Sequence, residues 1–353
     1  MHFRKENGKY IAFDVDETLG YFSQLGSFID AISFYYKDYS GSVFERFNEI
    51  LDLYPEFIRP KMIEILKYIY KKKVNGICNG VFIFTNNQGP RAWVQHIAKY
   101  FDYKVGNIER NEGEEKNYHD HLFDKIIGAY MINGKVIEPG RTSQNKIYND
   151  LLRITEISPK AKICFVDDLN HPEMRNENVL YLNVKPYVKT LSVNEMIRRY
   201  LKSPLASNIV STREFISAIR DRMGAMKNAN HTHLNLHESN YISLQTPFDS
   251  TSLREDVEYK NSGEKLFNYI KLFLKIKQHS KRGNKLQSLC NTSQTRRRRD
   301  NRHHNSFNGQ NQSNSEIGVS FPTHSRQTRK HVLIKRKRSH SKTRRNGVVI
   351  MRI

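Results

Sequence analysis

Three cysteines in 353 residues (Cys78, Cys164 and Cys290) are too few to frame a disulfide scaffold. Long apolar runs are missing as well. No stretch approaches the ~20 apolar residues that span a bilayer. The first residues, Met1-His-Phe-Arg-Lys-Glu-Asn7, lack the apolar stretch of a signal peptide. A soluble, intracellular chain is therefore expected. Internal repeats are also lacking.

Acidic side chains all but vanish from the last quarter. Residues 271–353 hold two of them against 22 Lys and Arg, whereas residues 1–200 hold 26 acidic and 28 basic, and residues 201–270 hold eight of each. The net charge of +22 thus belongs to the C-terminal segment. It points to a polyanionic partner for that segment and says little about the neutral region before it.

That neutral region alternates two patterns. Tyr10-Ile-Ala-Phe13, Val81-Phe-Ile-Phe84 and Ile163-Cys-Phe-Val166 are short apolar runs that end abruptly in polar residues, which reads as buried parallel strands. Cys164, inside such a run, is expected to pack as a small hydrophobe. Between the runs lie helical patterns: aromatic-rich residues 28–53, a helix opened by Pro60, another carrying Trp93 to Phe101, and one capped by Ser143. Residues 102–125 read as loop. Ile126-Ile127 and residues 129–137 suggest a hairpin turning at Asn133-Gly134. A closing helix is expected over Ser192–Leu201. The fold class is α/β, with a Rossmann-like, mainly parallel sheet and flanking helices. Residues 1–203 form the core domain. Residues 204–260 hold a helix, capped by Ser211-Thr-Arg-Glu214, and a polar linker over 227–260. Residues 261–353 hold a basic surface helix and an Arg/Lys-rich tail, expected to be disordered from about residue 280. His231, His233 and His237 read as linker histidines. Val348–Ile353 are apolar again and receive no role.

Three of the strands end in reactive groups: Asp14 and Asp16, Thr85, and Asp167 with Asp168. In an open α/β sheet such ends line one crevice. Four carboxylates gathered there repel one another unless a cation sits among them, and hard oxygen ligands suit Mg²⁺.

Asp14-Val-Asp16-Glu-Thr18-Leu19 resembles the first motif of haloacid-dehalogenase-superfamily phosphatases. Phe84-Thr85-Asn86 is similar to the second motif and Val166-Asp167-Asp168 to the fourth, over roughly residues 8–190. The resemblance implies a phosphatase. Asp14 would be the nucleophile, Asp16 the general acid and base, and Thr85 a donor to the phosphoryl group. Thr18 would shape the loop, and Lys146 would be the lysine that neutralises charge. Mg²⁺ would sit on Asp14, the Asp16 carbonyl, Asp167 and Asp168. Segments 19–58 and 102–140 fall where the superfamily inserts small caps, although the aromatics of the first suit core packing.

Two branches are resembled. The first motif with Arg59-Pro60 looks like the NLI-interacting-factor/C-terminal-domain phosphatases, which act on phosphoserine in proteins. This chain departs from them at Lys61 and Asp168. Thr85-Asn86-Asn87-Gln88-Gly89 is similar to a loop of polynucleotide 3′-phosphatases and histidinol-phosphate phosphatases, with one extra Asn. The expected substrate is a phosphorylated protein serine or threonine or a polynucleotide end.

Arg296–Arg299 and Lys335–Arg338 suggest a nuclear-localisation or nucleic-acid patch, with DNA or RNA held through residues 281–345. Nucleus, viral factory or virion are the matching locations. Richness in Asn, Lys, Ile and Tyr fits an AT-rich genome, such as that of a large DNA virus or a protist. The competing reading is a non-enzymatic nucleic-acid-binding protein that keeps a degenerate domain for docking.

Overall fold

Lys9–Phe13 (β1) is a five-residue run buried on both faces, as a central parallel strand has to be. In chain order it is followed by α1 (Ser23–Tyr36), α2 (Ser42–Glu45), α3 (Phe47–Asp52), α4 (Met62–Val74), β2 (Gly80–Phe84), α5 (Arg91–Gly106) and β3 (Lys125–Ile127). Next come β4 (Met131–Ile132), β5 (Lys135–Val136), α6 (Tyr148–Thr155), β6 (Lys162–Asp167), β7 (Val179–Asn183), α7 (Val193–Leu201), α8 (Thr212–His233), α9 (Ser250–Lys275) and β8 (Val349–Arg352). The computed structural model describes residues 7–38, 41–106, 121–233, 250–276 and 349–353, with the side chains of 226–233, 250–253 and 349 left out. Met1–His279 and Val348–Ile353 belong to one compact unit; the other, Ser280–Gly347, lies outside the described residues. The expectations for the basic tail and for His237 therefore fall outside them too. No helix among the described residues is long and apolar enough to cross a membrane.

Six strands make one all-parallel sheet in the order β3-β2-β1-β6-β7-β8. The chain fills the sheet outward from β1, first through β2 and β3 and then on the other side through β6, β7 and β8. The order reverses beside β1, and the crevice at such a reversal opens above the carboxyl ends of the strands.

The strand residues alternate between two cores. Ile11, Phe13, Val81, Ile83, Cys164 and Val166 face a thick helical layer, while Tyr10, Ala12, Phe82, Phe84, Ile163 and Phe165 face a thin one built on α6. Segment 19–58 belongs to the thick layer: Phe22, Phe28, Phe47, Tyr54 and Phe57 are all buried in it. Most of its aromatics pack on the core as expected, with Phe34 left exposed. Cys164 is fully buried as expected, and burial pushes its thiol up.

Several local expectations are corrected. α5 runs on to Gly106, so 102–106 is helix, and residues 107–120 lie outside the described residues. Ile126-Ile127 is not part of a hairpin but pairs in parallel with β2. The hairpin itself is β4–β5, turning at Asn133 and Gly134 with φ of 48° and 77°, the left-handed pair that an Asn-Gly turn supplies. α4 begins after Lys61, which sits at φ 69°, rather than at Pro60. Ser143 does not cap α6: its Oγ accepts from Asn145 N, and the residue before α6 is the extended Ile147. The linker expected over 227–260 is helical at both ends, since α8 continues to His233 and α9 starts at Ser250.

α9 is a surface helix, with Lys265, Asn268 and Lys275 exposed and Leu266, Ile270, Phe273 and Leu274 buried on the core. Lys9 fastens its end. The Lys9 ammonium donates to the carbonyls of Phe273 (2.9 Å), Leu274 (3.0 Å) and Ile276. A cation suits the negative end of a helix dipole, and burial of an ammonium needs such partners. Lys9→Met keeps the stem and removes the charge. It is expected to cost about 2 kcal/mol and to lower Tm by about 4–8 °C. An unchanged Tm in a thermal melt would remove Lys9 from the account of why α9 docks.

The apolar Val349–Arg352 is the sixth strand. It pairs with β7 in the register Leu180↔Val349 to Asn183↔Arg352, and Ile353 N continues the ladder to Asn183 O (2.9 Å).

Candidate functional site

The carboxyl ends of β1, β2 and β6 carry Asp14, Thr85 and Asp167, which the sheet brings side by side. Their side chains are almost wholly buried: Asp14 is 7% exposed, Thr85 1%, Asp167 0% and Lys146 1%. Lys146 lies in the stretch between β5 and α6. Its ammonium donates to Asp14 Oδ1 at 2.6 Å and to Asp167 Oδ2 at 2.7 Å. Lys160 and Lys162, the other lysines near this stretch of sequence, are exposed instead, and Lys162 bonds to Asn178.

Carboxylate oxygens of Asp14, Asp167 and Asp168 all lie within 4.8 Å of one another, close enough to hold one metal ion. The electrostatics of the protein without metal are strained accordingly. Burial pushes the Asp14 carboxyl up to about 8 against the pull of Lys146, with the Asp167 and Asp16 charges adding to the rise. Burial also raises Asp168, helped by Asp167 and opposed by its bond to Thr18. Asp167 is held below the usual carboxylate range, because Lys146 and His171 outweigh its burial. Lys146 is raised in turn, its burial outweighed by Asp14 and Asp167. Three acids around one ammonium leave a negative site of hard oxygens, a donor set that fits Mg²⁺ or a similar hard divalent cation.

Asp16 stands beside this cluster with its side chain turned toward the β2 loop. Its Oδ2 accepts from Asn87 Nδ2 at 2.7 Å. Burial raises its proton affinity, and the Asn87 bond opposes that. Thr85 Oγ1 accepts from Asn87 N (3.1 Å), which leaves the hydroxyl proton to donate into the crevice. Thr18 joins two of the loops: its hydroxyl donates to Asp168 Oδ1 (2.9 Å) and accepts from Asp168 N (3.1 Å).

Several residues that hold the site were not singled out for it. Arg59, 1% exposed, donates to the carbonyls of Thr18 (2.6 Å), Glu17 (2.5 Å) and Lys185 (2.7 Å). It thereby fixes a turn in which Glu17 takes a φ of 56°. Arg141, 2% exposed, donates to Thr85 O, Gly128 O, Gln144 O and Asn145 O, so one guanidinium ties the Thr85 strand end to the Lys146 segment. This explains why α6 starts late: Gln144 and Asn145 are drawn to Arg141 and Lys146 into the crevice, and the chain turns helical only after Ile147. Asn183 at the end of β7 donates to the carbonyls of Asp167, Asp168 and Leu169 (3.2, 2.8 and 2.9 Å). His171 Nε2 lies 3.5 Å from Asp167 Oδ1. The available signals are an arginine beside a proline for Arg59 and the apolar run Val179–Leu182 before Asn183. Arg141 and His171 carry no local signal.

No family model, curated protein or solved structure matches the chain.

Proposed function

We propose that the protein is a Mg²⁺-dependent phosphomonoester hydrolase of haloacid-dehalogenase type, working through an aspartyl-phosphate. The observation that carries the reading is Lys146, held at 2.6 and 2.7 Å between Asp14 and Asp167. A buried ammonium bridging two acids from different strands is costly to assemble for stability alone, and it belongs naturally where phosphoryl charge must be met.

Each residue then has a task. A carboxylate oxygen of Asp14 attacks phosphorus, and the bond from phosphorus to the ester oxygen breaks. The departing oxygen takes its proton from Asp16, whose raised proton affinity suits an acid. A water then attacks the acyl phosphate, gives its proton back to Asp16, and releases inorganic phosphate and free Asp14. Thr85 and Lys146 neutralise and orient the phosphoryl oxygens. Asp14, Asp167 and Asp168 would hold the Mg²⁺, with the Asp16 carbonyl. When bound, the ion supplies charge neutralisation and a clamp on a phosphoryl oxygen.

The substrate is a phosphate monoester on a protein serine or threonine or at a polynucleotide end. The polybasic residues 281–345 draw such polyanions in and bind DNA or RNA with steep salt dependence. The full chain is the form to assay, because α8 and α9 bury Phe215, Ile219, Leu266 and Ile270 in the core that underlies the site. A panel of p-nitrophenyl phosphate, phosphoserine peptides, and 3′- and 5′-phosphorylated oligonucleotides should show Mg²⁺-dependent release of phosphate that EDTA abolishes. Binding of oligonucleotides without hydrolysis of any member would leave the non-enzymatic docking domain in its place.

A further inference from the structure

The loop after β2 carries two consecutive asparagines, Asn86 and Asn87, and the second bonds to two site residues and to its own loop. Its backbone N donates to Thr85 Oγ1 at 3.1 Å. Its side-chain Oδ1 accepts from Gly89 N at 2.9 Å, which closes a tight turn. A Cβ on residue 89 would meet that same Oδ1 at 2.9 Å and push the amide out of place. Its Nδ2 donates to Asp16 Oδ2 at 2.7 Å. The orientation of the amide is fixed by its two partners: reversed, it would set its oxygen against a carboxylate and its NH₂ against an N–H.

This arrangement affects Asp16 unequally. Oδ2 is held by the Asn87 N–H, which fixes the rotation of the carboxyl group. Among the described residues, Asp16 Oδ1 has no hydrogen-bond partner. We propose that Asn87 is a positioning residue for Asp16: by donating to Oδ2 it holds the carboxyl group in one rotation and leaves Oδ1 as the edge that serves the departing group. The inference rests on the phosphatase reading and assigns a task to the extra asparagine of the loop. The bond that breaks is still phosphorus to ester oxygen. Asn87 neither gains nor loses a proton; the departing oxygen takes its proton from Asp16.

The consequence is a dependence on the leaving group. A nitrophenolate departs without needing a proton, whereas a poorly acidic phenol or an alcohol needs one in the transition state. The value of kcat/KM reports on the steps through phosphoryl transfer to Asp14 and is blind to later hydrolysis of the acyl phosphate.

Asn87→Asp is the sharpest variant. Its carboxylate can still accept from Gly89 N and keep the turn, but it has no N–H for Asp16 Oδ2 and sets a second acid against that oxygen. The full-length protein with Mg²⁺ would be assayed on aryl phosphates graded from p-nitrophenyl through phenyl to p-methylphenyl. For Asn87→Asp, kcat/KM should fall less than about 3-fold on the nitrophenyl ester and at least about 30-fold on the methylphenyl ester. Asn87→Ala should show the same tilt. Equal loss across the series, with Asp14→Asn inactive throughout, overturns the role of Asn87 and leaves the phosphatase reading standing. A wild type inactive on the whole series overturns the phosphatase reading itself, and an active Asp14→Asn overturns its nucleophile.

Discussion

Asp14→Asn should lower kcat/KM for aryl phosphate hydrolysis by more than about 10⁴-fold, the scale on which removal of an attacking group is felt. The change is nearly isosteric: it keeps an oxygen that can accept from Lys146 and removes a buried ionisable group from the crowded cluster. Tm without metal should therefore hold or rise while activity disappears. That opposition separates a catalytic loss from a folding loss. A variant that still turned over phosphate esters would show that another group attacks phosphorus.

The second large effect is at Lys146. Its ammonium is the cation shared by Asp14 and Asp167 in a site almost closed to solvent. Lys146→Met leaves those acids buried without it, at a cost of about 3–5 kcal/mol and a fall in Tm of roughly 10 °C. The same change should cost about 10³-fold in kcat/KM, because a preorganised positive charge facing the phosphoryl group is lost.

The pH dependence of stability follows from the same cluster. Asp14 has a folded value of about 8, well above its value in the unfolded chain, near 3.9. Between those values the native state binds a proton that the unfolded state has released. Its contribution to metal-free stability is thus fully present at low pH and lost as pH rises from about 4 through 8. In EDTA, Tm should fall from pH 5 to pH 8.5, and more steeply in Lys146→Met. Mg²⁺ should raise Tm more at pH 8.5 than at pH 5, where it competes with protons for the same oxygens. Melts at the two pH values with and without metal test this; a Mg²⁺ increment independent of pH would place the ion elsewhere.

The reach of sequence reading differs from residue to residue, for physical reasons. Asp14, Thr85 and Asp167 are legible because each ends an apolar run too short for a helix, and a parallel sheet puts such ends together. Asn133-Gly134 is legible because few residues accept two left-handed conformations in a row. β7 and Asn183 pass unremarked although Val179–Leu182 is apolar, because nothing after it looks reactive; the side chain acts on carbonyls, which carry no sequence signature. Arg59 is visible only beside its proline, and Arg141 not at all, for the same reason. Arg59 spends its guanidinium on the carbonyls of Glu17, Thr18 and Lys185, and Arg141 on those of Thr85 and Gly128 with nearby Gln144 and Asn145. α9 is misjudged at its start because its first turns are polar, and β8 is invisible because its partner β7 lies more than 160 residues upstream.

The last strand alters the topology of the charged segment. The end of α9, where Lys9 grips the final carbonyls, and β8, paired with β7, both belong to the core, so the span carrying most of the positive charge is anchored at both ends. A cut between residues 277 and 348 would leave β8 a separate peptide, held by its pairing with β7. Its departure would bare the edge of β7 and take away the backbone partner of Asn183, whose amide pins the Asp167–Leu169 carbonyls. Cleavage far along the chain would thus be felt at the carboxylates that hold the metal.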